Sequence, residues 1–147
     1  MPAPILHPKN LWRDCDEFTR AYIQTALWSS NDNSDDSGGE PLDSNYSWAD
    51  ISKETLAQMI GDCHIFQSEN IERINAAIQS DEGVTYGPDF SAYGRAGHDF
   101  WLTRNGHGAG FWDGGWPEPF ASQLTKSAKS FGTFDLYVGD DGEIYGS

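Results

Sequence analysis

Between Gly94 and Gly115 the chain reads GRAGHDFWLTRNGHGAGFWDGG, which sets His98, Asp99, Arg104, His107 and Asp113 in a stretch otherwise dominated by glycine and aromatic residues. Two imidazoles and two carboxylates are donor types of a metal site, and a His-Asp pair is a common unit of acid-base chemistry. With Arg104, these residues form one candidate site, for a metal or a small ligand. The plainer assignment makes His98 a strand-start residue, His107 an exposed turn residue and the aromatics core, because an extended strand between the two histidines holds them far apart. Gly106, Gly108 and Gly110 spell GxGxG, but the phosphate-binding fingerprint joins a strand to a helix start, and here it lies between two predicted strands.

A second candidate site is made of carboxylates. Asp32, Asp35, Asp36, Glu40 and Asp43 crowd one segment that has no base, and Glu54, Asp62, Glu69 and Glu72 project within about 80° of one another on a predicted helix. Together they would make an elongated negative surface that imitates a nucleic-acid backbone and occupies a channel built to hold one. The plainer assignment is an ordinary solvated helix face and loop. Asn33, Asp35 and Ser37, followed by Gly38, also copy the first half of a calcium loop; the second half fails, since its twelfth position is Ser44 and not a bidentate Glu.

Charge narrows the partners. With 23 Asp and Glu against 9 Lys and Arg, the formal net charge is −14. Direct phosphate binding needs cations that displace counterions, which argues against nucleic acid as a ligand. A basic protein surface is the complementary partner, with solubility alone as the simpler use of the same charge. There is no nucleophile elbow, P-loop, zinc-ligand quartet or HExxH, so the reading leans away from an enzyme and expects no cofactor.

The elements that must carry these groups follow from periodicity. At 147 residues the chain reads as a single domain, 1–147. An extended arm covers 1–12, ending in Leu11 and Trp12. Phe18, Tyr22, Ile23, Ala26 and Leu27 recur at helical spacing over Asp14 to Trp28. A long acidic loop, 29–50, is anchored by Leu42, Tyr46 and Trp48. Leu56, Met59, Ile60, Cys63, Ile71, Ile74, Ala77 and Ile78 share one arc of a second helix, which starts at Ser52 and stops near Ser80, with Gly61 as its weak point.

Beyond Gly83 the period shifts toward two. HDFWLTR and GFWD, separated by Asn105-Gly106, read as a first hairpin. Pro117 to Phe131 reads as a third helix, and FDLYV with Ile144-Tyr145 as a second hairpin around Asp141-Gly142. The order is α-α-β-β-α-β-β, an α+β fold with helices packed on a small antiparallel sheet.

Cys15 and Cys63 stand on separate predicted helices without a CxxC pair and read as two free thiols, with a single structural disulfide between them as the alternative. The first ten residues lack an apolar run of signal-peptide type, and no stretch has the length of a membrane span. The expectation is a cytoplasmic protein.

The loop SSNDNSDDSGGEPLDSNYSWADI, the passage AGHDFWLTRNGHGAGFWDGGW and the ending LTKSAKSFGTFDLYVGDDGEIYG resemble a group of small proteins encoded by bacteriophages and related mobile elements. The resemblance spans nearly all of 29–146 and implies a protein working in the host cytoplasm; it carries over no catalytic residue. Small acidic phage proteins are similar in composition to inhibitors of host nucleases, of CRISPR and other anti-phage defence complexes, and of the transcription machinery. The leading expectation is therefore an acidic phage inhibitor of a nucleic-acid-handling host protein. The ligand-binding hairpin and a structural or assembly role in the virion stand as alternatives.

Overall fold

The computed structural model describes residues 12–33, 39–85 and 87–147. Helices α1 (Glu17–Ser29), α2 (Lys53–Gln79), α3 (Ala92–Arg104) and α4 (Phe120–Lys129) precede strands β1 (Leu136–Val138) and β2 (Ile144–Gly146). The fold is α+β, with its antiparallel strand pair at the C-terminal end.

Local chemistry sets most boundaries. Ser52 caps α2 by accepting from the Thr55 amide at 3.2 Å, at the start expected for that helix, whereas α1 begins later than the expected Asp14, with Asp16 as its cap accepting from the Thr19 amide at 2.8 Å. Asp141 and Gly142 turn the hairpin, with Gly142 at φ 82°, and Tyr137 faces Tyr145 across the register. Ile144 also bridges in parallel to Ile51, and its carbonyl accepts from the Ser52 amide at 2.8 Å, which ties the hairpin to the start of α2.

The described parts of the acidic loop, 29–33 and 39–50, are tied down by hydrogen bonds and buried anchors. Its two arms zip together, the Asp32 amide donating to the Glu40 carbonyl at 2.7 Å and the Leu42 amide to the Ser30 carbonyl at 2.8 Å. The anchors act as expected: Leu42 is fully buried, and Tyr46 and Trp48 pack against the core. Two short 3-10 turns, Leu42–Ser44 and Trp48–Asp50, complete it.

The first predicted hairpin is overturned. HDFWLTR lies within α3, which Ser91 caps by accepting from the Gly94 amide at 3.1 Å. Asn105-Gly106 ends this helix instead of reversing a strand: the Gly106 amide donates to the Thr103 carbonyl at 3.2 Å, the His107 amide to the Leu102 carbonyl at 3.0 Å, and Gly106 sits at φ 70°. This is a Schellman stop, and it draws on the same positive-φ freedom of glycine as a tight hairpin turn. Most of α3 is buried from Gly94 to Arg104, so no polar stripe marks its helical period. Gly97 explains how it is accommodated, since a Cβ there would lie 1.9 Å from the Phe18 carbonyl oxygen; α1 and α3 cross with their backbones in contact.

The core is an aromatic cluster between the helices. Phe66 of α2 stacks on Phe100 of α3 with centroids 4.2 Å apart, and Phe18, Phe111 and Phe131 close around them at 5.0–6.1 Å. Ile71, expected on the apolar arc of α2, sits at its edge and is 39% exposed.

Candidate functional site

The residues of the glycine-rich passage divide into three places. Asp99 is fully buried, and the chain's own donors saturate it. Oδ1 accepts from Arg95 Nε at 3.1 Å and meets His98 Nδ1 at 2.8 Å, while Oδ2 accepts from Arg95 Nε at 3.0 Å and from Trp116 Nε1 at 2.7 Å. Asp113 approaches the same guanidinium at 3.9 Å. The His98 ring is packed between Trp28 and Phe90, with centroids at 6.1 and 5.1 Å. This geometry is a buried charge held in place by hydrogen bonds, the form a folded protein requires of any interior carboxylate.

Arg104 works elsewhere. Its side chain is 3% exposed and ties α3 to α1, α2 and the turn after α4: Nη1 donates to the Tyr22 hydroxyl and to Asp62 Oδ2, both at 2.9 Å, Nε to the Gly132 carbonyl at 2.9 Å, and Nη2 to the Phe131 carbonyl at 3.2 Å. Its guanidinium carbon lies 5.5–5.7 Å from the centroids of Phe100, Phe131 and Phe134. Burial alone would pull its pKa down, but the facing Tyr22 and Asp62 outweigh that and raise it. His107 lies exposed after the helix stop, on the rim of a polar cavity of about 480 Å³ that Asn31, Asn105 and Asp135 also line. Among the described residues, no group of three or more His, Cys, Asp and Glu is placed to hold a metal ion.

The acidic candidates fare differently. Asp35 and Asp36 lie outside the described residues, as do Ser37 and Gly38 of the calcium-loop pattern, and residues 1–11 of the expected arm. Asp62 leaves the set of free charges, because Arg104 binds it. Glu40, Asp43, Glu54, Glu69 and Glu72 are exposed, and none of them joins an ion pair within 4.0 Å among the described residues. The Glu40 carboxylate accepts from the Asn45 side chain at 3.1 Å, and Asp32 is half-buried at the zipped base of the loop.

Four arginines are engaged in bonds within the chain, while Arg13, Lys53, Lys126 and Lys129 stay exposed. Arg20 donates to the carbonyls of Trp12 and Arg13 at 3.0–3.3 Å, Arg95 is drawn to Asp99, Arg104 is buried, and Arg73 folds onto the Glu69 carbonyl and Asn70 Oδ1 at 3.3 and 3.0 Å.

Helical geometry sets the scale of the α2 face. Glu54 and Glu72 are about 27 Å apart along the axis at 1.5 Å per residue. One strand of a duplex would carry about eight phosphates over that length. Three exposed carboxylates therefore reproduce the sign and reach of such a backbone, not its spacing. Ile65, 51% exposed, projects within about 40° of Glu54, Glu69 and Glu72, and the charge pattern alone did not reveal it. Arg95 and Trp116 were missed as well, since only the fold brings them to Asp99.

No helix among the described residues is long and apolar enough to cross a membrane. Set beside protein-family models, curated proteins and solved structures, the chain matches none.

Proposed function

We propose that this protein is a non-enzymatic, phage-encoded inhibitor that acts in the host cytoplasm by docking on the basic, nucleic-acid-binding surface of a host protein. The observation that carries the reading is the asymmetry of charge: exposed Glu40, Asp43, Glu54, Glu69 and Glu72 stand outside the ion pairs of the described residues, while Arg20, Arg95 and Arg104 are spent on internal bonds. A surface of one sign speeds encounter with a groove of the other and disfavours partners of like charge. Exposed Ile65, set among the glutamates, supplies an apolar contact that long-range charge alone lacks.

Capture from host lysate at low and high salt tests this reading. The expected result is a partner retained at low salt and released as salt shortens the screening length from about 10 Å at 0.1 M to about 3 Å at 1 M. The combined variant Glu54→Gln, Glu69→Gln, Glu72→Gln should lose that partner while keeping its circular dichroism spectrum. Absence of any salt-sensitive partner, or undiminished capture by the triple variant, overturns the proposal.

A further inference from the structure

Between the end of α1 and the acidic loop lies a cavity of about 330 Å³, lined by Trp12, Gln24, Leu27, Trp28, Asp43, Tyr46, Ser47 and Trp48. Its walls are aromatic yet not sealed into the core: Trp28 is 45% exposed, and Trp12, Tyr46 and Trp48 are half-buried. Trp12 and Trp48 stack almost parallel, 2° apart in plane with centroids at 5.1 Å. The lining contains one carboxylate, Asp43, and no base.

The walls are set in place before any ligand arrives. Ser47 accepts from the Ala49 amide at 3.2 Å while Asp50 accepts from the Ser47 amide at 2.8 Å, a reciprocal cap that fixes Trp48. The Tyr46 amide donates to the carbonyl of fully buried Leu42 at 2.9 Å. Such preorganisation lowers the entropy lost on binding.

We infer that this pocket receives an arginine side chain of the protein partner, its guanidinium lying against indole and its charge answered by Asp43. Aromatic faces attract cations, and a guanidinium, planar and weakly hydrated, stacks on them better than an ammonium does. The chain already shows this chemistry: the Arg20 guanidinium carbon lies 5.5 Å from the centroid of Trp12. The inference rests on the proposed function for the basic character of the partner, and it names the residue type that anchors the contact.

The test is a titration of the 15N-labelled full chain with acetyl-Gly-Arg-Gly-amide, read at the indole N–H signals. The indoles of Trp101 and Trp116 serve as internal references, because they donate to Ser29 Oγ and Asp99 Oδ2 at 2.8 and 2.7 Å. Trp12, Trp28 and Trp48 should shift while the references stay, Asp43→Asn should weaken the effect about two- to fivefold, and the Gln tripeptide should produce none. Unmoved pocket indoles, equal shifts with the Gln or Lys tripeptide, or an unaffected Asp43→Asn variant would each overturn the assignment. Pocket shifts together with failure of salt-sensitive capture would sink the proposed function and leave the pocket; salt-sensitive capture without pocket shifts would do the reverse.

Discussion

Arg104 donates to Asp62 at 2.9 Å across a sequence separation of 42 residues, and this one bond both locks α3 to α2 and removes a carboxylate from the acidic face. The guanidinium also serves two carbonyls and the Tyr22 hydroxyl. Arg104→Ala should therefore cost about 3–5 kcal/mol in urea unfolding, because it leaves Asp62 and the buried acceptors unpaired. Arg104→Lys should recover only part of this, since an ammonium lacks the planar fork. Full rescue by lysine would mean that charge alone matters there.

Gly97 and Gly61 should respond to alanine with opposite sign. At Gly97 the new methyl would sit 1.9 Å from the Phe18 carbonyl oxygen, which forces α1 and α3 apart at a cost of about 3 kcal/mol or more. At Gly61, inside α2, nothing lies within 4 Å, so Gly61→Ala should stabilise the protein by about 0.5–1 kcal/mol through helix propensity. Thermal melts of the two variants decide this, and a neutral Gly97→Ala would refute the backbone contact.

Asp16 gives the fold a defined acid sensitivity. Burial pushes its pKa up, but hydrogen bonds from Thr19 and Gln67, with His64 nearby, outweigh that and hold it below the ordinary carboxylate value. Since the folded pKa is the lower one, the stabilisation is present above about pH 4 and is lost as pH falls through the folded value. Asn also caps helices, so Asp16→Asn should keep α1 while flattening the loss of stability at low pH. Urea midpoints from pH 7 to pH 2 provide the comparison, and parallel profiles for the two proteins would contradict the assignment.

Both thiols should be sluggish nucleophiles. Burial, then the charge of Asp16, pushes the Cys15 thiol up to about 11, and full burial drives Cys63 well above its usual value. Thiolate is the reactive form, so Ellman's reagent at neutral pH should label the native protein slowly. In a Cys15→Ser background the remaining reaction should follow unfolding, rising steeply with urea. Rapid labelling of Cys63 without denaturant would show that α2 opens locally.

What could be read in advance was local. Ser52 ahead of an apolar period announces α2, Asp141-Gly142 between short apolar runs announces the C-terminal hairpin, and Leu42, Tyr46 and Trp48 stand out as the anchors in a polar loop. The segment from His98 to Arg104 misleads for a physical reason: a helix buried on nearly every side has no polar stripe, and its stop signal, Asn105-Gly106, is equally good hairpin chemistry. The candidate site was legible as a set of carboxylates, but their fates were not. Asp62 and Glu69 share a helix face by angle, and one is paired while the other is exposed, because Arg104 arrives from a distant element.

The amino-acid order alone determines the sign and excess of charge, the cap at the start of α2 and the turn of the last hairpin, because each depends on residues a few positions apart or on composition alone. Tertiary structure decides that Asp99 is buried under Arg95, His98 and Trp116, that four aromatic residues from three segments wall one pocket, and that Arg104 is buried against Asp62. Those outcomes depend on which surfaces meet when α1 and α3 close at Gly97. No spacing along the chain encodes such a meeting without the packing that produces it.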